Sequence, residues 1–504
     1  MADEFAIVVL DAPLAVGAQD FTDPKITDWS AAILFISGDY LGEGSSAQVS
    51  SVIVKKAAAS ETVGAYLAAF SRSGATGTGQ ARHFAQTSTS GNDIVRVMDP
   101  ATNGADWARG SSSDLSNGFR ITWSDVSGFS AGRRVKIVAL LFGKTDVHLG
   151  QLNGNLSFFT PGVTPEQLFA VCKRGAYGGL SNNDLSIGLG GAVDGVTIEQ
   201  AAVAVNWPHA ADPITAGTFA SEVEAWADIN AAAGAPTTAD ATKVTDFIPS
   251  GFEKDGADAA AHYLGFAWID NRQGFCRIVD LTGSESGSTL LLNLGRHVEV
   301  VVGMFVGATS EDAVVTGEAA QAFGLFVFDG LSSAHSVSAA IDEGLDPDIT
   351  ATLGFSRYKA DEWNVVDGAG GTAWRVTGLS STAEGLRGSV VTAKAGRLFL
   401  WGVSRIASIQ PPALPVALVL PAPTRLQDGS QVPGPTALPL VLPAPAVLMP
   451  KQPSAVLLAL TLASPTIIAQ ASAPTPKPEL GPLYAQALSS LLPRGLAWPR
   501  RPSS

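Results

Sequence analysis

Three hydrophobic markers recur along this chain in the same order and at the same spacing, and that repetition constrains the fold more than any single motif. The first is an apolar run closed by glycine: Ala31–Gly38 (AAILFISG), Leu168–Gly175 (LFAVCKRG) and Val300–Gly307 (VVVGMFVG). The second is a glycine before an apolar residue in a short turn: Asn117-Gly118-Phe119, Ser250-Gly251-Phe252 and Thr377-Gly378-Leu379. The third is a closing apolar strand: Val135–Phe142, Tyr263–Ile269 and Arg397–Val403. All three return at intervals of roughly 130 residues, the size of one ordinary domain. Chance supplies one such series, hardly three in phase.

Each copy opens on a lead-in strand, Phe5–Leu10, Asp146–Gly150 or Cys276–Asp280, which sets module limits at 1–145, 146–274 and 275–408. Inside them, β-branched and aromatic runs such as Ser51–Val54, Phe119–Trp123 and Phe323–Phe328 alternate with Gly, Asn, Asp and Ser clusters. That is the pattern of antiparallel sheets joined by tight turns. With 53 glycines and 30 prolines in 504 residues, the expected fold is mainly β: three tandem antiparallel β-sandwich or jelly-roll-like modules. One stretch, Phe219 to Ala233 (FASEVEAWADINAAA), carries helix formers and predicts a short helix.

After about Ile409 the composition changes. Residues 409–478 are dense in proline and nearly uncharged, and a shorter repeat appears in Leu418–Pro423 (LVLPAP), Leu440–Pro445 (LVLPAP) and Leu460–Pro465 (LTLASP). Proline excludes a long helix, and the longest proline-free apolar stretch, Ser454–Ser464, is about half of what a membrane span needs. No membrane span is therefore expected. A linker this apolar would be an association hazard in water, so the segment reads as an extended arm covered by neighbouring subunits or added to another protein's sheet edge.

Residues 479–504 close the sequence. Leu480–Leu492 (LGPLYAQALSSLL) places Leu483, Ala487 and Leu491 along one helical face, and Pro493-Arg494-Gly495 ends the predicted short C-terminal helix. Trp498 and Pro499 follow. The string LLPRGLAWPR at 491–500 resembles the "YxxxLxxLLPxGxAWP" signature of baseplate-associated tail proteins in Mu-like and related tailed phages. The resemblance implies a helical attachment motif formed by Leu483, Tyr484, Leu491, Leu492, Pro493, Gly495, Trp498 and Pro499. The modules in turn are similar to repeated β-domains of phage tail and fibre proteins carrying a "DGFTLNW…YLALG"-like signature, best matched by Asp114–Trp123 and the strand from Val135 to Gly143. Together they imply a virion protein of the tail, made in the host cytoplasm, with other tail or baseplate proteins as partners. A symmetric homo-oligomer, favoured as a trimer, would bury the arm.

Composition narrows the function classes. A net charge of −14 with scattered Lys and Arg offers no basic stripe for phosphates, so nucleic acid is not an expected partner. The N-terminus lacks the basic n-region of a secretion signal. Two cysteines, Cys172 and Cys276, make neither a disulfide framework nor a zinc ligand set. The six histidines show no metal-ligand spacing, and neither a GxSxG elbow nor a phosphate loop is present. No cofactor is expected, and the chain reads as a non-enzymatic structural or binding protein.

Two candidate binding features remain. Exposed tryptophans are platforms for sugars, and Trp107, Trp207, Trp363 and Trp374 lie in polar sequence contexts that make them candidates for contact with a host surface glycan, against the alternative of core placement. Asp342, Asp346 and Asp348 in an acidic turn are a weak calcium candidate without the EF-hand spacing. A glycan-binding receptor protein is the alternative function. A polysaccharide depolymerase is the remaining one, because the spacing of its two carboxylates is spatial and not sequential.

Overall fold

The computed structural model describes residues 5–405 apart from connecting segments, the longest being 39–46, 71–79, 154–163, 175–185, 208–215 and 343–352, together with 416–418 and 438–440. The described chain is mainly β, organised in several antiparallel sheets and without a helix among the described residues.

The first ten strands are β1 (Phe5–Asp11), β2 (Gly17–Thr22), β3 (Trp29–Gly38), β4 (Ala47–Lys55), β5 (Glu61–Phe70), β6 (Gln80–Ser88), β7 (Asp93–Met98), β8 (Asp106–Leu115), β9 (Gly118–Asp125) and β10 (Val135–Gly143). They form a six-stranded sheet, β1-β10-β3-β4-β5-β6, facing a four-stranded sheet, β2-β9-β8-β7. Two meanders, β3 to β6 and β7 to β9, thus build the sandwich, and β10 inserts between β1 and β3.

Residues 146–269 supply β11 (Asp146–Asn153), β12 (Gln167–Arg174), β13 (Ser186–Val193), β14 (Glu199–Asn206), β15 (Gly217–Ser221), β16 (Trp226–Ala232), β17 (Ala235–Ile248), β18 (Gly251–Asp255) and β19 (Ala261–Ile269). The final set is β20 (Gln273–Thr282), β21 (Gly287–Asn293), β22 (His297–Val306), β23 (Val315–Thr316), β24 (Ala322–Phe328), β25 (Ala334–Asp342), β26 (Leu353–Ala360), β27 (Glu362–Val366), β28 (Thr372–Thr382), β29 (Gly385–Thr392) and β30 (Ala395–Arg405).

The third module repeats the first strand for strand, β20-β30-β22-β24-β25-β26 over β21-β29-β28-β27. The second keeps the same order, β11-β19-β12-β13-β14-β15 with β16-β17-β18, and lacks a counterpart of β2 among the described residues. Its sheet gains β23 from the third module, which pairs with β15 through Gly217↔Thr316 and Thr218↔Val315. In the arm, β31 (Val416–Leu418) pairs with β32 (Leu438–Leu440). The rest of the arm and the C-terminal helix lie outside the described residues.

The six-stranded sheets explain why the marker strands carry apolar residues at successive positions rather than alternate ones. Alternation sends Ala32, Leu34 and Ile36 of β3 and Ile137, Ala139 and Leu141 of β10 into the sandwich of module 1, against Phe21, Phe119, Ile121 and Trp123 of the small sheet. The opposite parity, Ala31, Ile33, Phe35, Val138, Leu140 and Phe142, enters a second core, shared with Phe169, Val171, Ile187 and Leu189 of module 2 and Val302, Met304, Phe399 and Trp401 of module 3. An antiparallel sheet with one face in water would alternate; these are covered on both.

Each module touches the other two. β5 lies on β11, β12 and β19; β14 lies on β20 and β22; β25 and β26 lie on β3 and β4. The three sandwiches close a triangle around the common core, and all of their described strands fall in one compact unit.

Two sequence expectations are corrected. Residues 219–232 of the segment expected to be helical do not form a helix: they make the end of β15 and then β16. Ala225 and Trp226 pack toward one core while Phe219, Ala227 and Ile229 pack toward another, and that two-sided burial overrides local helix propensity. The turn glycine of module 3 is Gly385, not Gly378. Gly118, Gly251 and Gly385 each open the equivalent strand, β9, β18 or β29, with φ of 156°, 145° and 140°. A Cβ on Gly118 would stand 2.0 Å from the Phe21 carbonyl oxygen, and one on Gly385 would stand 1.9 Å from that of Leu292. Gly378 sits in mid-strand with nothing within 4 Å of its Cβ position.

Candidate functional site

Of the four tryptophans singled out by sequence, three have described side chains and all three are buried. Trp207, Trp363 and Trp374 are fully buried and offer no face to a sugar. Trp207 meets Phe323 of module 3 edge-on at 5.4 Å. Trp363 stacks on Phe326 at 5.2 Å and donates its indole N–H to the Val327 carbonyl at 3.2 Å, and Trp374 stacks on Phe305 at 5.4 Å. All three are core residues, because an indole on an inward strand position buries more apolar area than its polar neighbours can compete with. Trp107 belongs to β8, with its side chain outside the described residues.

Asp342 ends β25, paired with Leu353, while Asp346 and Asp348 lie outside the described residues. No group of three His, Cys, Asp or Glu converges among the described residues. The eight residues of the C-terminal motif also lie outside them. The cysteines do not meet: Cys172 is buried in the sandwich of module 2 and Cys276 in the shared core, both as free thiols. Burial raises the pKa of each, so neither is a ready nucleophile.

No protein-family model matches the sequence, and no curated protein matches it significantly.

The junction is specific in its contacts. Trp401 of β30 packs on Phe169 of β12 at 5.0 Å, and a Cβ on Gly191 of β13 would come within 2.8 Å of the Trp401 ring and 3.3 Å of the Cys276 sulfur. Arg277 of module 3 pairs with Glu199 of module 2 at 2.5 Å. On the opposite flank, the Lys136 ammonium of module 1 lies 5.4 Å over the ring of Tyr358 in β26. The Tyr358 hydroxyl meets His335 Nδ1 at 2.9 Å. Burial, with the Asp361 and Asp11 carboxylates adding to it, pushes Tyr358 up to about 12, and burial lowers His335 against the opposing pull of Asp361 and Asp329. Both groups are therefore neutral at pH 7, as a desolvated pair should be.

Sequence reasoning aimed at Trp363 and Trp374 and missed their strand neighbours. Glu362, Asn364 and Arg375 alternate with the buried indoles and reach the open end of the module 3 sandwich, where β26 and β27, the edge strands of its two sheets, come together. The signal was present as alternation, Glu-Trp-Asn-Val and Trp-Arg, once the strand direction is known.

Proposed function

We propose that this chain is a structural component of a tailed-phage virion, sited at the tail tip, baseplate or a fibre, that attaches through residues 409–504 and displays its three-module body for assembly or host contact. The carrying observation is the shared core: three equivalent sandwiches are fused into one body around a common apolar centre, and the chain then runs into an apolar, proline-dense repeat. Such a body is built for rigidity. Its core is completed within one chain among the described residues, and the apolar arm is the segment that would draw a homo-oligomer, including the expected trimer, together. The apolar repeats then supply strands or plugs for partner chains, in keeping with the resemblance of residues 491–500 to a baseplate-associated motif.

Truncation at Ile409 tests the reading. The shortened protein should melt like the body of the full chain yet fail to enter particles, read as copy number in purified virions. Normal incorporation of the truncated chain would refute attachment through the arm.

A further inference from the structure

We infer that the open end of the module 3 sandwich is a binding site for an acidic sugar, a pyranose unit carrying a carboxylate or a phosphate. The cavity has a volume of about 240 Å³ and is lined by Arg357, Lys359, Glu362, Asn364, Thr372 and Arg375. That is below the roughly 300–1,000 Å³ of drug-sized sites and on the scale of one sugar ring. Three cations face one carboxylate there, in a protein whose net charge is −14.

The cations are not alike. Arg375 is spent on Glu362, to which its Nε donates at 2.7 Å. Arg357 is fixed as a donor: one Nη reaches the Thr372 hydroxyl at 3.1 Å and the other the Gly370 carbonyl. A guanidinium has five N–H groups, so this anchoring leaves donors for an anion while removing the entropy cost of ordering the side chain. Lys359 is exposed and makes no ion pair among the described residues, which leaves its charge available to a ligand.

Asn364 supplies the second, independent sign. It is 2% exposed, it lines the cavity, and its Oδ1 has no hydrogen-bond partner among the described residues. That oxygen is closed to solvent in the free protein, so a sugar hydroxyl would meet it only after the amide turns toward the cavity, a movement that an unsatisfied buried amide favours. The strand is held firmly enough to read a ligand: the Ser336 hydroxyl donates to the Glu362 carbonyl at 3.1 Å and accepts from the Asn364 N–H at 3.1 Å, while Ser338 accepts from the Val366 N–H.

Parity separates this site from ordinary surface charge. Phe355, two residues before Arg357 on β26, points into the sandwich core, and strand alternation gives Arg357 and Lys359 the same inward direction. Inward charges on an edge strand also deter edge-to-edge pairing. That role explains the cations but gives no reason for an unpaired Asn364 beside them.

Titration of the full-length protein with glucuronic acid, glucose 6-phosphate and glucose, followed by calorimetry or ligand-observed NMR, tests the site. At low salt at least one charged sugar should bind saturably and about tenfold or more tighter than glucose, weakening severalfold as NaCl rises to about 0.2 M. Whichever charged sugar binds tighter names the source, an acidic polysaccharide or a phosphosugar. Lys359→Glu should cut that affinity about tenfold with an unchanged melting temperature, and Arg357→Gln should cut it as well while lowering the melting temperature, because its bonds to Thr372 and Gly370 are lost too. Equal binding of glucose, indifference to Lys359→Glu, or no binding of either charged sugar at about 50 mM would overturn the site and leave edge protection as the role of the cations. Attachment through the arm is read by particle incorporation, so the two proposals fail separately.

Discussion

Removing the Trp401 side chain measures whether three modules share one core. Trp401 is fully buried, stacked obliquely on Phe169 of another module at 5.0 Å, and a Trp→Ala change at such a position costs about 3–5 kcal/mol. The melting shift then reports the size of what melts. With an unfolding entropy of about 2.1 cal/mol/K per residue, a body of roughly 400 residues melting as one moves by about 5 °C for a 4 kcal/mol loss, whereas a module of roughly 130 residues melting alone moves by about 15 °C. Differential scanning calorimetry of the full chain should show the smaller shift in one main transition. Phe169→Ala and the double variant complete a cycle across the module boundary, where a coupling of about 0.5–1.5 kcal/mol is expected for the ring pair. A separate transition displaced by about 15 °C while others stay in place, or additive effects of the two truncations, would refute the shared core.

The turn glycines make a ranking prediction. Gly118→Ala and Gly385→Ala each force a Cβ onto a backbone oxygen and should cost about 1–3 kcal/mol or more, against about 1 kcal/mol for Gly378→Ala, where only the positive φ of 60° is strained; urea midpoints at constant slope decide it, and the reverse order would undo the assignment of Gly385 as the module 3 counterpart. His335 makes a pH prediction. Its folded pKa lies below the unfolded value of about 6.5, so its contribution is complete above that pH and is lost as pH falls from there through the folded pKa. His335→Gln should flatten that acid limb in melting curves taken between about pH 7.5 and pH 5, and a wild-type slope in the variant would place the dependence elsewhere.

The repetition of strands was legible because the markers return in phase: they located β3, β9 and β10, their three counterparts in module 2, and β22 and β30 in module 3. The relation between modules was legible too, in retrospect. Six apolar residues in succession, Ala31 to Ile36, exceed what one sandwich face can bury, and the surplus parity is the shared core. Local propensity failed where tertiary burial was two-sided, at residues 219–233. The glycine marker slipped because Gly378-Leu379 and Gly385-Leu386 look alike as dipeptides, and their difference in backbone conformation and in contact with a carbonyl across the sheet exists only in the fold. For the tryptophans, a polar neighbourhood in sequence is what strand alternation produces around a buried indole. Arg357 and Lys359 could not be assigned to a site in advance, because Asn364, which lines the same cavity, sits on the other sheet of the sandwich.

Three copies in one chain can do what three identical chains cannot, which is to differ. The edge of module 2 at β15 is covered by β23, with the Asp312 N–H also donating to the Ala220 carbonyl at 3.0 Å. The corresponding edge of module 3, β26, has no covering strand among the described residues and carries Arg357 and Lys359 instead. Edges must be covered or charged to avoid pairing with other chains, and these two modules solve the problem in opposite ways. A homotrimer would repeat either solution three times, since symmetry copies every surface. The divergence separates the edge of module 3 from that of module 2, and with one acidic-sugar site proposed per chain a titration should saturate at one sugar per chain. Saturation at three would move binding to a feature that the modules share and take it away from Arg357, Lys359 and Asn364.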